Sequence, residues 1–215
     1  MSVSQPQGYL ALPASGTGAG VLVLHAWWGL NETIRTICKQ LAEAGFIAFA
    51  PDLYHGKVVD AVADAEAISQ ALDADRARAD VARAAAFVNE RAGQANRGIA
   101  VIGFSLGVYF AMELSALDPA AIRSVVIFYG TRDGDYSNAR ANYLGHFAEM
   151  DPFEPQSSVD EMEASLRRAG REVKFHRYPD TGHWFFEPDR ADAYNATAAS
   201  LAWEQTLDFL NLPTS

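Results

Sequence analysis

Ile99-Ala100-Val101-Ile102-Gly103-Phe104-Ser105-Leu106-Gly107-Val108-Tyr109-Phe110 is the stretch on which the fold turns. Residues 99 to 104 form an apolar, β-branched run that predicts a buried parallel strand. Leu106 to Leu117 instead repeats apolar residues at helical spacing. Ser105 is left in the turn between the two. A strand that reverses into a helix strains the backbone of its turn residue and presents that side chain outward. Flanking side chains would crowd such a turn, which accounts for Gly103 and Gly107. The bare Gly-x-Ser-x-Gly pattern is short enough to arise by chance, so its weight comes from its strand-turn-helix setting. The plain alternative is a structural turn with an incidental serine.

Outward from this stretch, Tyr9 to Pro13 and Val21 to His25 are strand candidates joined by the Gly-rich residues 14 to 20, which predicts a hairpin. Beyond them helices and strands alternate. Asn31 is placed to cap a helix whose Ile34, Ile37, Cys38 and Leu41 share one face, with Gly45 as its stop. Phe46 to Ala50 is a strand ended by Pro51. Asp60 to Leu72 and Asp75 to Glu90 are Ala-rich helices, and Gly93 and Gly98 bracket the loop into the serine strand. Ser124 to Tyr129 and Tyr143 to Ala148 are further strands. Ser158 and Glu161 suggest a capping box for a helix to Ala169, Glu172 to Tyr178 an edge strand, and Arg190 to Leu210 a last helix before Pro213. This alternation predicts an α/β fold with a mostly parallel sheet, helices on both faces, and active-site residues at the carboxyl ends of the strands. The 215 residues are expected to form one domain, 1–215.

The 17 Lys and Arg against 27 Asp and Glu give a net charge of -10, which disfavours nucleic acid and anionic membrane surfaces as partners. The longest apolar runs, such as Val21 to Leu24 and Val125 to Tyr129, are far too short to span a bilayer. Met1 to Pro6 lack the pattern of a secretory signal, so a cytoplasmic location is expected. The single Cys38 excludes an intrachain disulfide and a thiolate metal cluster. No His-rich spacing resembles a zinc site, and no metal or organic cofactor is expected. A monomer is the expected state, with a homodimer as the alternative.

A serine hydroxyl is a poor nucleophile at neutral pH without a base to take its proton and an acid to orient that base. His183 follows the strand ending at Tyr178, and Asp151 follows the strand ending at Ala148. The chain order Ser105, Asp151, His183 is the order of α/β-hydrolases. Asp133 and Asp135 are rival acids one strand earlier; His25, His55, His146 and His176 are rival bases with poorer placement. The amides of Leu106 and Trp27 are the expected oxyanion donors. His25, Trp27, Trp28, Tyr54, Tyr129, Trp184 and Phe185 are expected around an apolar, aromatic pocket for a small molecule, with about half of the aromatic residues touching it.

These residues resemble the dienelactone hydrolase family of small α/β-hydrolases. The resemblance runs through Leu24 to Asn31, Leu41 to Phe46, Ala50 to Tyr54, Gly103 to Gly107, Phe128 to Gly130, Gly145 to Pro152 and Tyr178 to Phe185. It implies Ser105 as nucleophile with Asp151 and His183. Three positions depart from what the family implies: Ser105 stands for a Cys, Ala26 for a Glu that manages the resting thiol, and Glu187 for an Arg that helps hold a substrate carboxylate. The first two departures agree with an ordinary serine mechanism. The third suggests a carboxylic ester hydrolase for neutral esters, since Glu187 would repel a carboxylate. The alternatives are a dienelactone hydrolase proper, with Arg76, Arg78 or Arg83 on the carboxylate of a lactone, and a non-catalytic hydrolase-fold binding protein.

Overall fold

A strand covered on both faces must be apolar at successive positions, and Val21 to Leu24, Ile99 to Ile102 and Val125 to Phe128 are all fully buried. They belong to a seven-stranded sheet in a computed structural model that describes residues 3–93 and 98–212. In chain order the elements are β1 (Gly8–Ala11), β2 (Gly20–Leu24), α1 (Glu32–Glu43), β3 (Ile47–Pro51), α2 (Val62–Gln70), α3 (Ala74–Ala92), β4 (Ile99–Phe104) and α4 (Leu106–Leu117). Then come β5 (Ile122–Phe128), β6 (Asn142–Ala148), α5 (Gln156–Arg168), β7 (Val173–Tyr178) and α6 (Ala196–Asn211). The spatial order is β1-β3-β2-β4-β5-β6-β7, parallel throughout except for the antiparallel edge pair of β1 with β3. This is an α/β-hydrolase architecture.

Side chains alternate across the sheet and so feed two cores. Val21, Val23, Ala48, Ile102 and Val126 pack on one face beneath α1 and α6, through Ile34, Leu41, Ala199 and Ala202. Leu22, Leu24, Val101 and Ile127 pack on the other beneath α3, α4 and α5, through Val81, Val88, Ala111, Met162 and Leu166. Asn31 caps α1 by accepting from the Ile34 amide, and Asp73 caps α3. Among the described residues, no helix is long and apolar enough to cross a membrane.

Three local expectations are corrected. β1 and β2 do not form a hairpin, because β3 lies between them and pairs with both. The connection from β1 to β2 steps over the start of β3: a Cβ at Gly18 would meet the Gly45 carbonyl oxygen at 2.1 Å, and the Ile47 amide donates to the Ala19 carbonyl at 2.9 Å. The capping box at Ser158 and Glu161 is absent, since α5 already starts at Gln156. Pro155, with its fixed φ, leads into that helix without a side-chain cap. The last helix starts at Ala196, where Asn195 accepts from the Ala198 amide, and residues 185 to 195 form turns instead. Part of the loop bracketed by Gly93 and Gly98 lies outside the described residues, as do Pro213 and Met1-Ser2.

Candidate active site

At the carboxyl end of β4 the chain must reverse within one residue to start α4, and Ser105 takes the strain with φ 46° and ψ -111°. Such a conformation costs a non-glycine residue on the order of 1–3 kcal/mol. The two glycines are required by close approach. A Cβ at Gly103 would stand 2.8 Å from the Val108 Cα, and one at Gly107 would stand 2.3 Å from the Leu24 carbonyl oxygen. The second contact shows how tightly the first turn of α4 sits against the end of β2. It brings Leu106 beside the loop that carries Trp27.

The loops after β6 and β7 are tied together by backbone bonds, Glu149 N to Tyr178 O at 3.1 Å and Met150 N to Thr181 O at 3.0 Å. Asp151 and His183 therefore meet. His183 Nδ1 donates to Asp151 Oδ2 at 2.7 Å, and Ser105 Oγ donates to His183 Nε2 at 3.0 Å. The other carboxylate oxygen, Oδ1, accepts from the amides of Phe153 at 2.9 Å and Glu154 at 3.1 Å. The His183 and Asp151 side chains are only 3% and 2% exposed. The rivals lie elsewhere. Asp133 and Asp135 are exposed, His55 pairs with Asp80, and His146 is buried between Tyr178 and Thr206. His176 is half-buried beside it.

Ser105 and His183 open onto a cleft of about 220 Å³ lined also by Trp27, Leu106, Tyr109, Thr131, Phe153, Glu154 and Trp184. Of the seven residues expected around a pocket, Trp27 and Trp184 are among these. His25 is fully buried: its Nδ1 donates to the Ala26 carbonyl at 2.8 Å and its Nε2 accepts from the Leu53 amide at 3.2 Å. Burial holds its pKa below the usual histidine range. It is a strut between two strand ends. Trp28 is buried against Trp184 with the Arg190 guanidinium 3.9 Å above its ring. Tyr54 packs on His25 and lines a separate cleft. Phe185 is fully buried between Tyr129 and Tyr178.

Tyr109, Thr131, Phe153 and Glu154 were not expected. Tyr109 was accessible to sequence reasoning, because it follows Ser105 by four residues on a helix and so shares its face. Phe153 and Glu154 follow the candidate acid directly, and Thr131 follows the end of β5. Phe153 stands at the mouth, 44% exposed, with its ring 5.7 Å from Trp27 and 5.1 Å from both His183 and Trp184. Arg78 reaches the Tyr109 hydroxyl at 3.2 Å, but its charge is met by Glu113 and Asp75. Arg83 pairs with Asp80, and Arg76 borders the Tyr54 cleft.

Tyr129 underlies the histidine, with ring centres 5.0 Å apart, and its hydroxyl donates to Glu187 Oε1 at 2.8 Å. Glu187 is fully buried and does not line the cleft, which corrects the expectation that it repels a substrate carboxylate. Burial pushes its carboxyl up from an ordinary 4.5 to about 8, opposed in part by the Tyr129 hydrogen bond. The folded protein thus keeps a proton that the unfolded chain gives up near pH 4.5, so stability falls as pH rises from about 4.5 to about 8. Glu187→Gln imitates the protonated acid. It should match the parent in urea unfolding near pH 4.5 and exceed it by about 5 kcal/mol above pH 8. A gap that stays constant with pH would refute a neutral Glu187.

A serine at a strand-helix elbow, bonded to a histidine and an aspartate that follow later strands, defines the α/β-hydrolase class. The chain belongs to the dienelactone hydrolase family, whose model matches residues 7–212. It is 32% identical to "Protein usf" of Aquifex pyrophilus over 94% of this chain and 91% of that protein. It is also 32% identical to a "Putative carboxymethylenebutenolidase" of Aquifex aeolicus, again over 94% and 91%. The structure of a "Putative Dienelactone Hydrolase" from Klebsiella pneumoniae superposes with a TM-score of 0.83 at 25% identity, covering 96% of this chain and 92% of that one.

Proposed function

We propose that the protein hydrolyses carboxylic esters, lactones included, through an acyl-enzyme on Ser105. The observation that carries this reading is the unbroken hydrogen-bonded chain from Ser105 Oγ through His183 to Asp151. The Oγ–C bond forms at the ester carbonyl as the serine proton passes to His183 Nε2, and the carbonyl electron pair moves onto oxygen. Amides of Leu106 and Trp27 receive that oxyanion, supported by the position of both residues on the cleft beside Ser105. Collapse breaks the bond to the leaving alkoxide, which takes the proton from Nε2; in a lactone the alkoxide stays tethered to the acyl group. Water then gives a proton to His183 as its oxygen adds to the acyl carbon. The second collapse releases the acid and returns the proton to Ser105. Asp151 holds the Nδ1 proton throughout and offsets the imidazolium charge.

The cleft of about 220 Å³ is smaller than most drug-sized pockets, and Trp27, Tyr109, Phe153 and Trp184 give it aromatic walls. Short acyl groups and compact leaving groups fit these dimensions. An alkyl fluorophosphonate tests the reading directly, because only an activated serine displaces its fluoride. Stoichiometric labelling is expected at Ser105, and none in Ser105→Ala. Labelling that persists in the variant would overturn the assignment.

A further inference from the structure

We propose that Glu154 determines specificity by setting the charge preference of the cleft: ammonium-bearing esters first, uncharged isosteres next, carboxylate-bearing esters last. The proposal rests on Ser105 as nucleophile and adds the substrate class. Among the described residues lining the cleft, Glu154 supplies the one carboxylate, and no lysine or arginine joins it. It lies three residues after Asp151, in the turn whose amides hold that carboxylate. Its Oε2 accepts from Thr131 Oγ1 at 2.6 Å. Partial burial raises its pKa, while the Thr131 hydrogen bond and the nearby His183 counter the rise.

The two arginines that touch Tyr109 on the cleft wall are already matched. Arg78 and Arg132 both bond Glu113, at 2.8 Å and 3.0 Å, and the Arg132 guanidinium also lies 4.9 Å from the Tyr109 ring centre. Among the described residues Glu154 thus has no lysine or arginine partner, in a cleft walled by Trp27, Tyr109, Phe153 and Trp184. A carboxylate among aromatic faces is the combination an alkylammonium group favours. The net charge of -10 acts in the same sense on approach. At the effective dielectric of a partly screened site, one such charge changes affinity by about tenfold.

Glu154 also fastens the Thr131 loop to the Asp151 loop, and Glu154→Gln separates the two roles because an amide oxygen still accepts from Thr131. The test measures kcat/KM on three acetate esters at low ionic strength: a trimethylammonioethyl ester, its uncharged dimethylbutyl isostere and a carboxylate-bearing ester of similar length. In Glu154→Gln the cation-to-neutral ratio should fall about tenfold and the anion-to-neutral ratio rise by a similar factor. Asp64→Asn, which removes an exposed carboxylate on α2, should leave both ratios unchanged. Ratios in Glu154→Gln within about twofold of the parent, or an equal shift in Asp64→Asn, would overturn the proposal. Ser105→Ala keeps the two claims apart: turnover that survives it overturns the nucleophile, whereas unchanged ratios overturn only the role of Glu154.

Discussion

Ser105→Ala should lower kcat on a short-chain aryl ester by at least about 10³-fold, with little change in KM. In the proposed mechanism the hydroxyl oxygen bonds the acyl carbon, so its loss removes a stabilisation present only as the bond forms. The cleft walls formed by Trp27, Tyr109, Phe153 and Trp184 are left intact. Residual turnover of the order expected from oxyanion donors and binding alone should remain above the rate in water. The variant should stay folded, because the Ser105 side chain makes no bond other than that to His183 among the described contacts. The φ of 46° at this position should strain alanine about as it strains serine. Urea unfolding close to the parent's would show that the lost activity is chemical. A kcat within tenfold of the parent would instead make Ser105 an incidental turn residue.

The elbow was legible in the sequence because three local signals coincide there: a β-branched run, a change to helical spacing, and glycines where packing leaves no room. β4 and α4 occupy the stretches that pattern marks. Asp151 and His183 were legible for a related reason, since parallel strands bring their carboxyl ends to one edge. Pairing of β1 was not legible. A Gly-rich link reads as a hairpin locally, and nothing between Pro13 and Val21 records that β3 will insert between the two strands. The pocket was the least legible part. Trp28, Tyr129 and Phe185 follow strand ends, as cleft residues do, yet each turns into the core, and Tyr54 is buried beside a separate cleft. Periodicity assigns faces within helices and strands, and it has no hold on loop residues whose direction depends on positive φ, as at Tyr129. Glu187 shows the same limit: a carboxylate in a loop reads as exposed, and only the three-dimensional packing puts it under Tyr129.

Asp151→Asn should reduce kcat by about 10³- to 10⁴-fold although it changes no group that lines the cleft. The size of the effect follows from the bonds around the carboxylate. Oδ1 already accepts from two amides, those of Phe153 and Glu154. An asparagine would satisfy both by placing its carbonyl oxygen there, which leaves its NH₂ facing His183 Nδ1. A donor at that position forces Nδ1 to accept, so the imidazole proton moves to Nε2. Nε2 is then a donor toward Ser105 and is unable to take the serine proton. The loss should fall on kcat, with KM nearly unchanged, and fluorophosphonate labelling should slow to match because it needs the same proton transfer. Asp151→Glu would not serve as well, since a longer side chain cannot keep both amides and the histidine at 2.7 to 3.1 Å. A fall of less than tenfold in Asp151→Asn would remove Asp151 from the mechanism and reopen the choice to Asp133 or Asp135, neither of which bonds His183 in the folded protein.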